Sequence, residues 1–311
     1  MNKILVFLLL IIACQIYPSW AQENTQEESR NKKPVPTYTN FSYGPYERQI
    51  FDIWLTSSQN GKPTPLVIYI HGGGFRGGNK NSIEAASINQ FIKAGLSVAA
   101  IQYRLSDTGP YPIMMEDAAR CLQTIRNHAM EWNLNPDKVA CYGGSAGAGI
   151  SLWLGFHDDL GDPGNDDPIA RQSTRITAVA AINGQSTYDL FTFRDWFGVP
   201  DLKNDEAHYP LFDVKTESEW DSKRARRLMA DASPITHLTK DDIPVYMTYS
   251  QSNGQVDKNT PSGVWVHHPK LGLKLQEAMK NLGLECEVQF PGHPVTKYES
   301  LEAFIISKLS N

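Results

Sequence analysis

The chain has little of what marks several protein classes, beginning with cysteine. It contains only 4 cysteines among 311 residues, and one of these, Cys14, lies in an apolar N-terminal segment. The other three, Cys121, Cys141 and Cys286, allow at most one disulfide, which excludes a disulfide-stapled scaffold. Because they fall within predicted strands and a predicted helix, we expect them to be buried apolar fillers.

The chain also lacks a large excess of charge of either sign, since its formal net charge is only −5. No basic stripe with interleaved aromatic residues occurs, which argues against a nucleic-acid-binding protein. After the first 21 residues, no segment is apolar for long enough to cross a bilayer. The sequence has no H-E-x-x-H, cysteine-pair or Walker pattern, so we expect neither a metal nor an organic cofactor.

The N-terminus has the pattern of an export signal. Residues 1–21 combine the charged Lys3 with a short apolar run and with small residues before the expected cleavage point after Ala21, which predicts a signal peptide and a secreted or periplasmic protein. An alternative interpretation treats residues 11–14 as a bacterial lipoprotein box with a lipid anchor at Cys14, and predicts a periplasmic or outer-surface lipoprotein. Residues 22–37 are polar and predict a disordered lead-in.

Strand-like and helix-like segments alternate over residues 38–311, which we interpret as one domain. This alternation indicates crossover connections and an α/β fold, with a mainly parallel sheet covered by helices on both faces. Residues 184–242 break the rhythm and are rich in aromatic residues. Long connections of this kind often form a substrate cap, so we expect a cap insert whose aromatic residues mostly pack on the body.

The segment Gly143 to Gly147 has the spacing G-x-S-x-G. It follows the strand-like run 138–142 and precedes the apolar, helix-like run 148–156. A strand, a tight turn and a helix in this order predict a nucleophile elbow, with Ser145 exposed at its tip. Glycine at both ends lets the strand and the helix approach closely.

A second glycine motif lies upstream, where the apolar run 65–70 leads into His71 followed by three glycines. Consecutive glycines leave backbone N–H groups unshielded, as an oxyanion hole requires. The predicted donors are the N–H groups of Gly73, Gly74 and Ala146. Both motifs follow predicted parallel strands, so they are expected at the same edge of the sheet.

These motifs, together with Tyr-Arg-Leu at 103–105 and Asn-Pro-Asp-Lys-Val at 135–139, resemble those of α/β-hydrolases of the esterase/lipase class. The particular likeness is to relatives of hormone-sensitive lipase, including secreted bacterial carbohydrate esterases. The similarity is densest between residues 65 and 157. It implies a triad in the order serine, acid, histidine, in which Ser145 is the nucleophile and His293, after the last predicted strand, is the general base.

The acid of the implied triad has three interpretations. Asn253 occupies the position that usually carries aspartate, and Asp257 is the nearest carboxylate. The alternatives are Asp257 in a complete triad, Asn253 in a weakened one, or a Ser–His dyad. His267 and His268 follow on the same side of the sheet, either as a substitute base or substrate contacts or as a surface pair at a helix start.

The resemblance implies hydrolysis of short acyl esters of a small molecule or a polysaccharide through an acyl-enzyme, without a cofactor. A second hypothesis is a catalytically weakened α/β-hydrolase that serves as a glycan- or protein-binding module. A serine peptidase on the same fold is less favoured because the glycine loop is of the esterase type.

Overall fold

The computed structural model describes residues 32–57, 61–294 and 297–310. The expected signal peptide, Cys14 and residues 22–31 of the expected lead-in lie outside the described residues. Within the described ranges, no helix combines the length and the apolar character needed to span a bilayer.

The described residues form one eight-stranded sheet. Its strands are β1 (Tyr38–Ser42), β2 (Ile50–Trp54), β3 (Thr64–Ile70), β4 (Ser97–Ile101), β5 (Leu134–Gly144), β6 (Ala178–Ile182), β7 (Val245–Thr248) and β8 (Cys286–Gln289). Their order is β1-β2-β4-β3-β5-β6-β7-β8. The pairs β1/β2 and β2/β4 are antiparallel, and all the others are parallel.

Helices connect most of the strands. They are α1 (Ala85–Lys93), α2 (Ile113–Asn127), α3 (Ala146–Phe156), α4 (Leu190–Phe197), α5 (His208–Phe212), α6 (Lys223–Ala232), α7 (Ser262–Trp265), α8 (Pro269–Asn281) and α9 (Leu301–Leu309). Short 3-10 helices occur at Lys80–Ser82, Glu217–Asp221 and Pro234–Thr236. The sequence pattern predicts that α2 extends to residue 132, but the helix ends at Asn127. Turns follow it as far as Asn133, which has a left-handed φ of 51°.

Two hydrophobic cores lie on opposite faces of the sheet. In β3, Leu66, Ile68 and Ile70 belong to the core that includes α2, α3 and α8, whereas Val67 belongs to the core that includes α1 and α9. This division follows from the alternation of side chains along a strand. Buried strands with helices on both faces are the architecture that the sequence predicts, and the prediction of the fold class is confirmed.

Two of the three cysteines are fully buried, as expected. Cys121, Cys141 and Cys286 are free thiols, the first two buried and the third partly buried. Burial raises the pKa of the Cys141 thiol to about 12, which keeps it protonated and unreactive near neutral pH.

The connection between β6 and β7 contains α4, α5, α6 and two of the 3-10 helices. Its aromatic side chains are largely buried, among them Tyr188, Phe193, Phe212 and Trp220. A small separate core joins Phe193 and Leu202 of this connection to Trp265 of α7. The connection therefore packs against the segment that follows β7.

Candidate active site

Ser145 occupies a strained turn between β5 and α3. Its backbone has φ 51° and ψ −117°, a conformation that residues other than glycine rarely adopt. A Cβ atom added at Gly143 would lie 2.3 Å from the carbonyl oxygen of Ile70, and one added at Gly147 would lie 2.0 Å from the same atom. Both positions therefore require glycine, and the turn places Ser145 at the carboxyl edge of the sheet.

The side chain of Ser145 is hydrogen-bonded to His267. The Oγ atom lies 2.8 Å from His267 Nε2, and the other ring nitrogen, Nδ1, lies 2.9 Å from the carbonyl oxygen of Gly263. Because a carbonyl only accepts hydrogen bonds, Nδ1 carries the proton and Nε2 presents its lone pair to the serine. This is the tautomer that a general base for serine requires.

Local structure explains why His267 faces the serine. Val266 separates it from the one-turn helix α7. Its backbone N–H donates to the Val264 carbonyl, so the carbonyl of Gly263 in the helix is left for the imidazole ring. Trp265 is buried with its ring centroid 4.8 Å from that of Phe193. These contacts anchor the segment that leads into the imidazole.

The structure corrects the expected pairing of Ser145 with His293. The His293 ring packs on Phe290 with centroids 4.5 Å apart, and its Nδ1 lies 3.3 Å from the carbonyl of Pro294. Strand β8, which precedes His293, is three strands from β5, or about 14 Å at the usual spacing. The chain turns immediately after β8, with the N–H of His293 bonded to the Phe290 carbonyl, and the hydrogen bond of Ser145 Oγ is to His267 rather than to His293.

Neither expected acid contacts His267 in the described part of the chain. Asp257 accepts hydrogen bonds from Asn259 and Thr260 within its own exposed turn, and Asn253 is exposed. The position that a carboxylate fills in a triad, beside the outer nitrogen of the imidazole, holds the Gly263 carbonyl instead.

A different carboxylate, Asp205, lines the same cavity as His267. Burial alone would raise the pKa of Asp205, but hydrogen bonds from Ser262 and from the Ala207 N–H, with the nearby His208 and His267, lower it overall. Asp205 is therefore a negative charge in the cavity that His267 also lines. Its place in the middle of the 184–242 connection gave no sequence signal for this role.

The glycine loop has the backbone conformation that its residue types allow. Gly73 has φ 117° and Gly74 has φ 59°, both in the left-handed region that favours glycine. A Cβ atom at Gly73 would lie 2.4 Å from the carbonyl oxygen of Gly77. Both glycines and Ala146 line the cavity that contains Ser145, so the three predicted oxyanion donors and the predicted nucleophile lie together.

Contacts from Arg48, His71 and Tyr103 hold the glycine loop. Arg48 donates from Nη2 to the Gly78 carbonyl at 3.0 Å and lies 3.2 Å from His71 Nε2. The His71 ring stacks on Tyr103 with centroids 4.3 Å apart, and the Tyr103 hydroxyl donates to the His71 carbonyl at 2.8 Å. Burial lowers the pKa of His71 to about 4, so a neutral imidazole braces the loop at neutral pH.

The cavity around Ser145 has a volume of about 380 Å³, within the range of small-molecule sites. Its far wall comes from the β6–β7 connection, with Gln185, Tyr188 and His208 among the lining residues. His208 is buried, which lowers its pKa to about 4, and its Nδ1 lies 2.6 Å from the Asn204 side-chain oxygen. A paired serine, polar walls and a glycine loop in one cavity are suited to acyl transfer.

Comparison with known proteins agrees with this arrangement. The model of the BD-FAE family matches residues 51–262, more than half of the chain. A probable carboxylic ester hydrolase, LipM of Mycobacterium tuberculosis, is 26% identical over 221 residues, which cover 70% of this chain and 48% of that protein. The chain thus spans about half the length of this relative.

Among solved structures, a truncated carbohydrate esterase from gut microbiota superposes with a TM-score of 0.67 at 19% identity, covering 90% of this chain and 98% of that one. An acetyl ester-xyloside bifunctional hydrolase from Caldicellulosiruptor lactoaceticus gives a TM-score of 0.60 at 18% identity, covering 84% and 85%. These likenesses confirm the α/β-hydrolase fold, and the family match confirms the resemblance to esterases of that fold.

Proposed function

Because the chain belongs to the BD-FAE family, we propose that it is a serine carboxylic ester hydrolase that acts on short acyl esters. The observation that carries the proposal is the 2.8 Å hydrogen bond between Ser145 Oγ and His267 Nε2. This pair lies in a cavity that the glycine loop also lines. The name of the mycobacterial relative, a probable carboxylic ester hydrolase, supports the same reaction class.

In the proposed reaction, His267 Nε2 takes the proton of Ser145 as the serine oxygen attacks the ester carbonyl. The N–H groups of Gly73, Gly74 and Ala146 hold the oxyanion, and loss of one such donor typically costs about 3 kcal/mol of barrier. The imidazolium then protonates the departing alcohol. A water molecule, deprotonated by the same nitrogen, cleaves the acyl-enzyme and restores the serine.

We assign the orienting role of the third triad member to the Gly263 carbonyl. It fixes the ring and the tautomer of His267 through a 2.9 Å hydrogen bond. A carbonyl lacks the full charge with which a carboxylate stabilises imidazolium. Asp205, which lines the same cavity, supplies that charge in our proposal, in place of Asp257 or Asn253.

The size of the cavity favours a short acyl group. A volume of about 380 Å³ accommodates a small acyl chain and part of the alcohol, whereas a long fatty acyl chain needs an extended tunnel. We propose that residues 184–242 act as the cap that sets this size, since Gln185, Tyr188 and His208 line the cavity from that connection.

We further propose that the ester lies on a polysaccharide outside the cytoplasm. Support comes from the export pattern of residues 1–21 and from a structural neighbour that is described as a carbohydrate esterase. N-terminal sequencing of the exported protein distinguishes cleavage after Ala21 from lipidation at Cys14. Unprocessed protein retained in the cytoplasm would contradict export.

The test of the ester hydrolase is a comparison of wild type with Ser145→Ala on nitrophenyl esters of increasing acyl length. Wild type should hydrolyse the acetate and the butyrate at least 10-fold faster than the octanoate, as judged by kcat/KM. Removal of the nucleophile should lower kcat on the order of 10⁴-fold or more. Ser252→Ala, an exposed serine elsewhere at the carboxyl edge, is the matched control and should retain full activity.

A fluorophosphonate probe separates this function from a binding module on the same fold. Attachment of the probe to Ser145, located by peptide mass, requires an activated serine. Equal ester hydrolysis by wild type and Ser145→Ala, with no labelling of Ser145, would refute the proposed function. Glycan binding by the unlabelled protein would then favour the non-catalytic module.

A further inference from the structure

A second group of side chains converges away from the Ser145 cavity. His157 is the C-cap residue of α3, Asp231 lies in α6, and His237 directly follows the 3-10 helix Pro234–Thr236. One potential ligand atom from each of the three residues lies within 4.8 Å of the other two. His157 is at the opposite end of α3 from Ser145, about 18 Å away at 1.5 Å per residue, so this cluster is separate from the catalytic site.

The hydrogen bonds of both imidazoles leave one nitrogen of each ring with a free lone pair. His237 Nε2 lies 2.7 Å from the backbone carbonyl of Asp231, and His157 Nδ1 lies 3.3 Å from the carbonyl of Asp158. Because carbonyls only accept, each of these nitrogens carries the proton. His237 Nδ1 and His157 Nε2 are then the nitrogens able to bind a cation. A backbone carbonyl on the second ring nitrogen is the usual support of a metal-binding histidine.

The carboxylate of the cluster is held in a similar way. The Tyr111 hydroxyl donates to Asp231 Oδ2 at 2.7 Å, and Trp153 Nε1 donates to the same hydroxyl at 3.1 Å. The Trp153 ring also stacks on His157 with centroids 4.0 Å apart. Two of the three side chains are thus oriented from within the body of the protein, and one oxygen of Asp231 remains for another partner.

From this geometry we propose that His157, Asp231 and His237 form a site for a zinc ion or a similar first-row divalent metal. Two imidazole nitrogens and one carboxylate oxygen are a donor set that zinc takes, with a fourth position for water. Calcium and magnesium prefer all-oxygen sites, so they are excluded by the two imidazoles. Asp231 is exposed and both histidines are partly exposed, which leaves room for the water ligand.

The metal would join two parts of the chain that are distant in sequence. His157 ends the helix that begins at the nucleophile elbow, whereas Asp231 and His237 belong to the connection between β6 and β7. Bound metal therefore fastens the proposed cap to the helix that carries Ser145 at its other end. It takes no part in the ester chemistry, and the proposal does not depend on the proposed function.

The protein offers a matched control at His128. This histidine also stacks on a tryptophan, Trp132, with centroids 4.6 Å apart, and its Nδ1 lies 2.9 Å from Glu131. It thus has the same aromatic support and a carboxylate neighbour, but the second imidazole is lacking. His128→Ala removes a histidine of the same kind without touching the proposed ligands.

The test is titration of the tag-free, chelator-treated protein with zinc chloride, followed by calorimetry and by thermal unfolding. Wild type should bind one zinc ion per chain and show a higher Tm with zinc than with a chelator. His157→Ala and His237→Ala should each weaken zinc binding at least 10-fold and abolish the rise in Tm. His128→Ala should bind zinc as wild type does.

Cobalt binding to the unmodified protein tests the site even where a variant fails to fold. Co²⁺ should give the intense visible absorption of a four-coordinate site, and zinc should displace it while calcium should not. The proposal is overturned if wild type binds no zinc at one equivalent. It is equally overturned if His128→Ala weakens binding as much as His157→Ala does, or if calcium competes with zinc on equal terms.

Discussion

At the scale of single residues, His267 and His293 differ in what surrounds each imidazole ring. His267 Nε2 lies 2.8 Å from Ser145 Oγ, and its Nδ1 lies 2.9 Å from the Gly263 carbonyl oxygen. His293 contacts Phe290 and Pro294 of its own loop. Only the surroundings of His267 both fix a tautomer and present a lone pair to a nucleophile.

A mutation series distinguishes the two rings. His267→Ala should lower kcat for a short-chain nitrophenyl ester on the order of 10³-fold or more, because the serine loses its base. His293→Ala should change kcat less than about 3-fold.

A second pair of variants tests the carboxylate. Asp205→Asn should lower kcat about 10-fold, since a unit charge near an imidazolium is worth about 1 kcal/mol or more. Asp257→Asn should leave kcat unchanged.

Thermal unfolding of each variant shows whether a lost activity reflects lost folding. A larger loss in His293→Ala than in His267→Ala would mean that the loop after β8 reaches the serine during turnover, and would refute the assignment of His267. Equal effects of Asp205→Asn and Asp257→Asn would remove the proposed role of Asp205.

The sequence predicted Ser145 and the glycine loop because their chemistry is encoded locally. A tight turn or an exposed run of N–H groups demands glycine at fixed spacing, and that demand is visible in a few consecutive letters. The base is different, since any loop of suitable length can bring a histidine to the serine. Asp205 and His267 line one cavity whose walls come from separate connections, and no spacing along the chain records that proximity.

At the scale of elements, the elbow depends on how closely α3 approaches β3. A Cβ atom added at Gly147 would lie only 2.0 Å from the carbonyl oxygen of Ile70 in β3. Gly144, one position before the serine, differs because an added Cβ atom would have only the Ile182 carbonyl near it, at 4.0 Å. The two glycines lie in one pentapeptide but carry different constraints.

Substitution of these glycines by alanine should therefore have opposite outcomes. Gly147→Ala should displace α3 from β3, so we expect a loss of stability of about 3 kcal/mol and little esterase activity. Gly144→Ala should fold with a stability within about 1 kcal/mol of wild type. Chemical denaturation measures both, and wild-type stability of Gly147→Ala would show that the contact is not required.

Most elements were predictable for a related reason. Strand β3 and residues 139–142 of β5 are largely buried in the middle of the sheet, so these stretches are mostly apolar, β-branched or aromatic runs that a helix pattern does not mimic. The connection between β6 and β7 has short helices that share their apolar residues with other parts of the chain. Because its packing partners are remote, its sequence has aromatic residues but no clear period.

At the scale of the whole molecule, burial of neutral histidines ties stability to pH. His71 braces the glycine loop and His208 lines the cavity, and burial lowers the pKa of each from 6.5 to about 4. Between pH 6.5 and 4, these two histidines are therefore protonated in the unfolded chain but neutral in the folded chain. The free energy of unfolding should fall as the pH drops from about 6.5 towards 4, and this dependence should end once the folded state is protonated.

Each histidine contributes at most about 3 kcal/mol to this loss, at 1.36 kcal/mol per unit of pKa difference. Thermal unfolding between pH 7 and 4 measures it, and Tm should decrease steadily over that window. His208→Gln should reduce the slope, whereas His128→Gln, at a partly exposed site, should not. Burial alone would raise the pKa of Glu285, but hydrogen bonds from Lys308 and Tyr298 lower it to about 2. This carboxylate therefore affects the free energy of unfolding only below pH 4.5. A Tm independent of pH from 7 to 4 would contradict the prediction.

The spacing of Gly263 and His267 has a mechanical consequence. In a triad, the histidine and its acid come from separate loops, so two independent movements can misalign the base. Here the ring and its orienting carbonyl belong to one turn of chain, and displacement of that turn changes a single distance, the one to Ser145 Oγ. Since Trp265 packs on Phe193 of α4, a displacement of α4 would change that distance and leave the tautomer of His267 as it is.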